Sequence, residues 1–120
     1  MRMWMVPTKY MCRKHLLGEH VEIHMFLGSL LKGTDLTGYV DNNLLEFSAL
    51  QKRHDQIAAE LHLRGYRHAS PILVPEFEVS DYVANSKVNV AMSCEDLFKR
   101  CSLCRRRYDL DLENIPIPII

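Results

Sequence analysis

The stretch HLLGEHVEIHMF, residues 15–26, places three histidines and two glutamates in twelve positions. Such groups can ligate a metal, move protons or stabilise a developing positive charge. A zinc-protease signature is excluded, because HExxH needs a glutamate directly after its first histidine and His20 is followed by Val21. On a helical wheel Glu22 lies about 200° from His20, whereas His15, seven residues before Glu22, falls almost in line with it. Gly18, one turn before Glu22, leaves that face open for close approach of backbone or ligand, and Glu19 and Phe26 flank it. An ordinary solvated face would show the same residues. His20 and His24 sit in the middle of a leucine stripe and read as core histidines hydrogen-bonded to backbone.

A second constellation is made of soft ligands. Cys12-x-x-His15 and Cys101-x-x-Cys104 each put two of them one turn apart on a helix. Packing of the two helices together would complete a tetrahedral zinc set of Cys12, His15, Cys101 and Cys104. Neither pair sits in a typical knuckle turn and there is no second CxxC, so the preferred reading is four reduced cysteines and no metal. Zinc would also take His15 away from the Glu22 face.

Three helical patterns must position these groups. The first runs from about Thr8 to Lys32, with Pro7 suiting its start and Gly33 its C-cap. Its apolar stripe is Cys12, Leu16, Leu17, His20, Ile23, His24, Leu27, Leu30 and Leu31. The second is LLEFSALQKRHDQIAAELHLRGY, with Leu50, Ile57 and Leu61 on its apolar face and Gly65 ending it. The third opens at SCED, where Ser93 and Asp96 resemble a capping box, and continues through LFKRCSLCRRRY. GTDLTGYVDNN and HASPILVPEFEVSDYVANSK read as loops, since prolines and the lack of clean alternation argue against a sheet. The expected fold is all-α: one compact domain over residues 1–120, three main helices with long loops. Residues 113–120, ending IPIPII, form an apolar tail that is either an extended strip or disordered.

At 120 residues the chain can bury one hydrophobic core without covalent staples. No apolar run is long enough to span a bilayer, and MRMWMVPTKY is too short and interrupted for a signal peptide. Four cysteines without a secretory signal point to a reducing compartment, so the protein reads as intracellular. The net charge is zero, but it is unevenly spread. Residues 1–32 carry five Lys/Arg against two acids, 50–68 four against two, and 97–107 five against none. Basic segments between acidic connectors can give a neutral protein a positive face, although solvated helix surfaces would look alike.

Four segments together resemble the pyrimidine-dimer DNA glycosylase family of endonuclease V type. They are MRMW at the start, HLLGEHVE with Phe26 or Leu27 and Gly28 after it, LQKRHDQIAAELHLRGY, and NVAMSCEDL. The resemblance implies a compact all-α fold and DNA repair chemistry: a glycosylase with abasic-site lyase activity, needing no cofactor. It implies that the N-terminal α-amine attacks the anomeric carbon of a damaged pyrimidine nucleotide, forms a Schiff base and cuts the strand by β-elimination, assisted by a glutamate matching Glu22. An α-amine, with an ordinary pKa of about 7.7–8.0, is partly neutral at cellular pH, whereas a lysine at about 10.4 needs a large shift. In the family's register Met1 falls on the nucleophile position without a gap, and the bulky Arg2 disfavours removal of the initiator methionine. Thr8 to Glu22 spans about 21 Å along a helix. Seven extended residues reach roughly 23 Å, so the arm can fold back.

The family carries an arginine just before that glutamate, and its phage-type member another beyond it. Val21 and Met25 stand there instead, and the aromatic-rich C-terminus is replaced by CSLCRRRY and IPIPII. Expected phosphate contacts therefore fall on Arg2, Lys14, Arg53, Arg64, Arg100, Arg105, Arg106 and Arg107, with Trp4, Tyr10 and Tyr108 able to stack on bases. The expected catalytic set is Met1, Glu22 and His15, in a monomer acting on double-stranded DNA with damaged pyrimidines and on no membrane. The rival is a non-catalytic α-helical module, zinc-stabilised or not, that binds nucleic acid or protein through its basic third helix.

Overall fold

A computed structural model describes residues 1–67 and 70–119. Among them there is no strand, in agreement with the all-α expectation. The helices are α1 (Arg13–Leu31), α2 (Thr37–Asp41), α3 (Leu50–Leu63), α4 (Asp81–Ala84), α5 (Val90–Arg100) and α6 (Ser102–Leu112), with 3-10 turns at Thr8–Tyr10 and Phe47–Ala49. No helix of the described residues is long and apolar enough to cross a membrane.

The centre of the molecule is the α1–α3 pair. Helix α1 buries Leu16, Glu19, His20, Ile23, Phe26 and Leu30, and α3 buries Leu50, Arg53, His54, Ile57 and Leu61. Both sets recur at three and four residues, the spacing of one helical face. The buried face of α1 is rotated by roughly 50° from the leucine stripe read in sequence. Leu17 and Leu31 are exposed, while Glu19 and Phe26, expected to flank an open face, are fully buried. This facing brings Glu19 against Arg53 of α3 inside the core.

Both glycine stops behave as expected. Gly33 has φ +71° and Gly65 φ +86°, a left-handed conformation that glycine adopts without a Cβ clash. The Thr34 N–H then donates to Ser29 O at 3.0 Å, and the Tyr66 N–H to Leu61 O at 2.9 Å, closing the orphan carbonyls.

Two helices start or break where the sequence pattern runs on. The first begins at Arg13 rather than Thr8, because Met11 and Cys12 are extended. The third starts at Val90, capped by the Asn89 side chain, and breaks at Cys101, which has φ −125° and ψ 108°. Ser93 is therefore inside α5 and fully buried, not a cap. The loops are stitched by side chains. Gln51 accepts from the Val74 N–H at 2.8 Å and donates to Ile72 O at 3.0 Å, holding the extended segment after residue 70 as a neighbouring strand would. A turn at Glu113 and Asn114, the latter at φ +56°, ends α6, and the tail 115–119 that follows has no regular structure and is tied by Arg107, whose Nη1 donates to Pro118 O at 2.8 Å.

Candidate active site and the clusters around it

The arm Met1–Pro7 is part of the core. Met3, Trp4 and Val6 are buried, and consecutive burial of Met3 and Trp4 breaks the alternation of a regular extended segment. Met5, at φ +56°, supplies the kink in the left-handed region. Three interactions hold the arm in place. The Met3 N–H donates to Leu44 O at 2.7 Å, the Ser93 hydroxyl donates to Trp4 O at 2.5 Å, and Arg2 Nη1 bonds Asp96 Oδ2 at 2.9 Å. The Arg2 guanidinium also lies 3.5 Å from the centre of the Trp4 ring. Ser93 and Asp96, expected as a helix cap, thus anchor the N-terminal arm.

This anchoring brings the chain terminus to α1. Glu22 is half-buried, and burial pushes its carboxyl above the ordinary range. The positive charge of the Met1 α-ammonium, the backbone N–H of Arg2 and the Arg2 side chain oppose that rise, while Glu19 adds to it. On the wheel Glu22 stands at the edge of the buried face rather than opposite it, which gives a carboxylate both desolvation and an opening. A Cβ built at Gly18 would meet no atom within 4 Å, so this side of the helix is open. Beside Arg2 lies a cleft of about 340 Å³, lined also by Asn43, Leu44, Met92 and Ser93.

His15 does not join this pair. It lies about 10 Å along the helix from Glu22. Its Nδ1 is 3.2 Å from Cys12 Sγ and 3.8 Å from Cys104 Sγ, and its ring packs edge-on against Trp4 at 5.9 Å. Burial, then the charge of Lys14, pushes its pKa below the ordinary imidazole value. Because α1 starts at Arg13, the first turn faces the α5–α6 junction, and His15 with it.

Two of the expected phosphate contacts are corrected by burial. Arg53 is 3% exposed and grips Glu19 with Nε at 2.6 Å and Nη2 at 2.9 Å. Arg64 is 4% exposed, bonding Glu60 at 2.9 Å and Thr8 O at 3.0 Å. Both project from the inward side of α3, where a carboxylate compensates each charge, so neither can reach DNA. Arg107 is held by Lys9 O and Pro118 O. Arg100 pairs with Asp96 and Arg105 with Asp109, both at the surface. Lys14 and Arg106 are exposed. Tyr10 and Tyr108 pack with Phe98, Tyr108 stacking on it at 4.7 Å, so these rings build the core edge. Val21 and Met25 lie exposed with Leu17 in one apolar strip beside Glu22, although the leucine stripe of the sequence places Leu17 in the core.

Among the described residues, two clusters of ligand-type side chains stand apart from Glu22. His20, His24 and His54 bring their ring nitrogens within 4.8 Å of one another, and His24 and His54 each place Nε2 3.1 Å from Ser70 O; of the two histidines expected in the core, His20 is buried and His24 is half-buried. Cys12, His15, Cys101 and Cys104 come together within the same limit, one thiol at each helix break.

The fold is an all-α domain whose anchored N-terminal arm places the positive charge of the chain terminus within electrostatic reach of the half-buried Glu22. The family model described as pyrimidine dimer DNA glycosylase matches residues 1–73, and the chain belongs to that family. Comparison with curated proteins and with solved structures finds no match. Family membership makes this a DNA-repair glycosylase, with DNA as its substrate. The match ends before α4, so α5, which anchors the arm through Ser93 and Asp96, and α6 lie beyond it.

Proposed function

We propose that the protein is a glycosylase with abasic-site lyase activity that uses the Met1 α-amine as nucleophile and Glu22 as its carboxylate partner. The observation that carries this reading is the electrostatic action of the Met1 terminus on Glu22 within an arm fixed by Met3, Trp4 and Arg2. The neutral amine attacks C1′ of the damaged nucleotide, and the base departs with the electrons of the glycosidic bond. Opening of the sugar ring gives the imine. Loss of a C2′ proton then expels the 3′ phosphate by β-elimination. A carboxylate beside the amine accepts and returns protons and stabilises the cationic sugar and imine. Its raised proton affinity suits that exchange.

Duplex DNA is held by the exposed cations Lys14, Arg100, Arg105 and Arg106, with Arg2 close to the reacting sugar. The apolar strip Leu17–Val21–Met25 beside Glu22 carries no phosphate-binding charge, so the lesion is recognised differently from relatives with arginines there. The test is borohydride trapping on duplexes bearing an abasic site or a pyrimidine dimer, followed by mass mapping of the adduct. An adduct on residue 1 is expected, and an extension fused before Met1 should abolish it. An adduct mapped to a lysine would overturn the assignment.

A further inference from the structure

We infer that Cys12, His15, Cys101 and Cys104 form a structural zinc site that locks the C-terminal helices onto the N-terminal arm. The four side chains come from two chain segments nearly ninety residues apart, Cys12 to Cys101 spanning |i−j| = 89. Each segment contributes a pair three residues apart, and one ligand atom from each residue lies within 4.8 Å of all the others. A tetrahedral zinc with its usual bond lengths requires edges of about 3.8 Å between sulfurs and about 3.6 Å between sulfur and nitrogen. The edges found are 3.9 Å for Cys12 Sγ to Cys101 Sγ, 3.2 Å for Cys12 Sγ to His15 Nδ1, and 3.8 Å for Cys104 Sγ to His15 Nδ1. All four cysteines of the chain are free thiols. Three sulfurs and one imidazole nitrogen are a set that selects zinc among the common divalent ions.

The surroundings suit a thiolate cluster. The Cys12 N–H is 3.2 Å from Cys104 Sγ and the Cys104 N–H is 3.5 Å from Cys101 Sγ, so backbone donors are aimed at two of the sulfurs. Cys12 is the N-cap of α1 and Cys101 the N-cap of α6, which turns the positive ends of two helices toward the cluster. Zinc with three thiolates carries a net negative charge, and these dipoles offset it. Two of the four ligands, Cys12 and Cys101, sit at the extended residues that precede α1 and α6. Trp4 packs against the ligand His15, so the metal buttresses the arm that carries the Met1 amine.

The experiment is metal analysis of the purified full-length chain after dialysis in metal-free buffer, with cobalt titration of the metal-stripped protein. About one zinc per chain is expected, together with the thiolate-to-cobalt absorption and visible bands of a tetrahedral site, displaced by added zinc. Cys101→Ser and Cys104→Ser should each lose the bound zinc, whereas Cys94→Ser, whose thiol is outside the cluster, should keep it. Wild-type protein that holds no zinc and shows no thiolate–cobalt absorption would overturn the site, as would iron in its place or a Cys12–Cys101 disulfide. Equal zinc loss in Cys94→Ser would do the same. The cobalt measurement uses the unmutated chain, so a variant that fails to fold leaves the test intact, and none of these readouts depends on glycosylase activity.

Discussion

Arg53 and Glu19 meet inside the core in a two-pronged ion pair, with both carboxylate oxygens held at 2.6 and 2.9 Å and neither side chain more than 3% exposed. The pair joins α3 to α1 one turn before Glu22. The guanidinium supplies the carboxylate with two hydrogen bonds where water does not reach.

Removing one partner strands the other. Glu19→Gln or Arg53→Ala should each destabilise the fold by about 3–5 kcal/mol. Replacing both with apolar residues of similar volume should restore most of that loss. Denaturant midpoints for the two single variants and the double variant decide the matter. A Glu19→Gln protein as stable as the parent would mean the pair is not structural. Glu19, which the sequence places beside the open face, is thus a core residue.

Glu22→Gln should separate activity from stability. Turnover should fall by on the order of 10²–10⁴-fold, the usual contribution of a positioned acid or base. Burial raises the Glu22 carboxyl, so the folded state binds its proton more tightly than the unfolded chain does. The group therefore destabilises the fold at pH values above its raised pKa, and that penalty fades as pH falls into the ordinary carboxylate range. The glutamine variant should melt higher than the parent near neutrality, with the gap closing under acid. Melting curves across pH that stay parallel would contradict the assignment of the shift to burial.

Gly18 offers a steric probe of the open face. Gly18→Ala should stabilise the helix by about 0.8–1 kcal/mol, since no atom lies within 4 Å of the new Cβ. Gly18→Phe should also fold, but its ring would cover the approach to Glu22 and block borohydride trapping. Full trapping by a folded Gly18→Phe protein would place the DNA on another side of the helix.

Arg105 and Arg106 test the DNA-binding surface. The Arg105–Asp109 pair is solvent-exposed, 55% and 46%, and such pairs contribute at most about 1 kcal/mol, so phosphate can displace it. Replacing both arginines by alanine should flatten the slope of log affinity against log salt by about 0.9 for each phosphate that is no longer neutralised. It should weaken binding to all sequences alike, because phosphate contacts carry no sequence information. An unchanged slope would mean that the DNA lies elsewhere.

Much of this molecule is legible along the chain. The all-α class and the stops at Gly33 and Gly65 follow from local signals, periodicity and glycine geometry, while the candidacy of Met1 and Glu22 is what the resemblance of four segments to the glycosylase family implies. The facing of α1 does not. A stripe of leucines and histidines fits the wheel well, but the packing of α1 against α3, which pairs Glu19 with Arg53, hides Glu19 and Phe26 and exposes Leu17. The same holds for Arg64, whose sequence neighbours read as a solvated basic patch until Glu60 and Thr8 O enclose it. Ser93 and Asp96 carry a capping pattern, yet their partners are Trp4 and Arg2 from the other end of the chain. The two Cys/His pairs are visible as ligands in sequence. Their convergence is not, because it depends on helix breaks at Cys12 and Cys101 that local propensity does not encode and that long-range packing imposes.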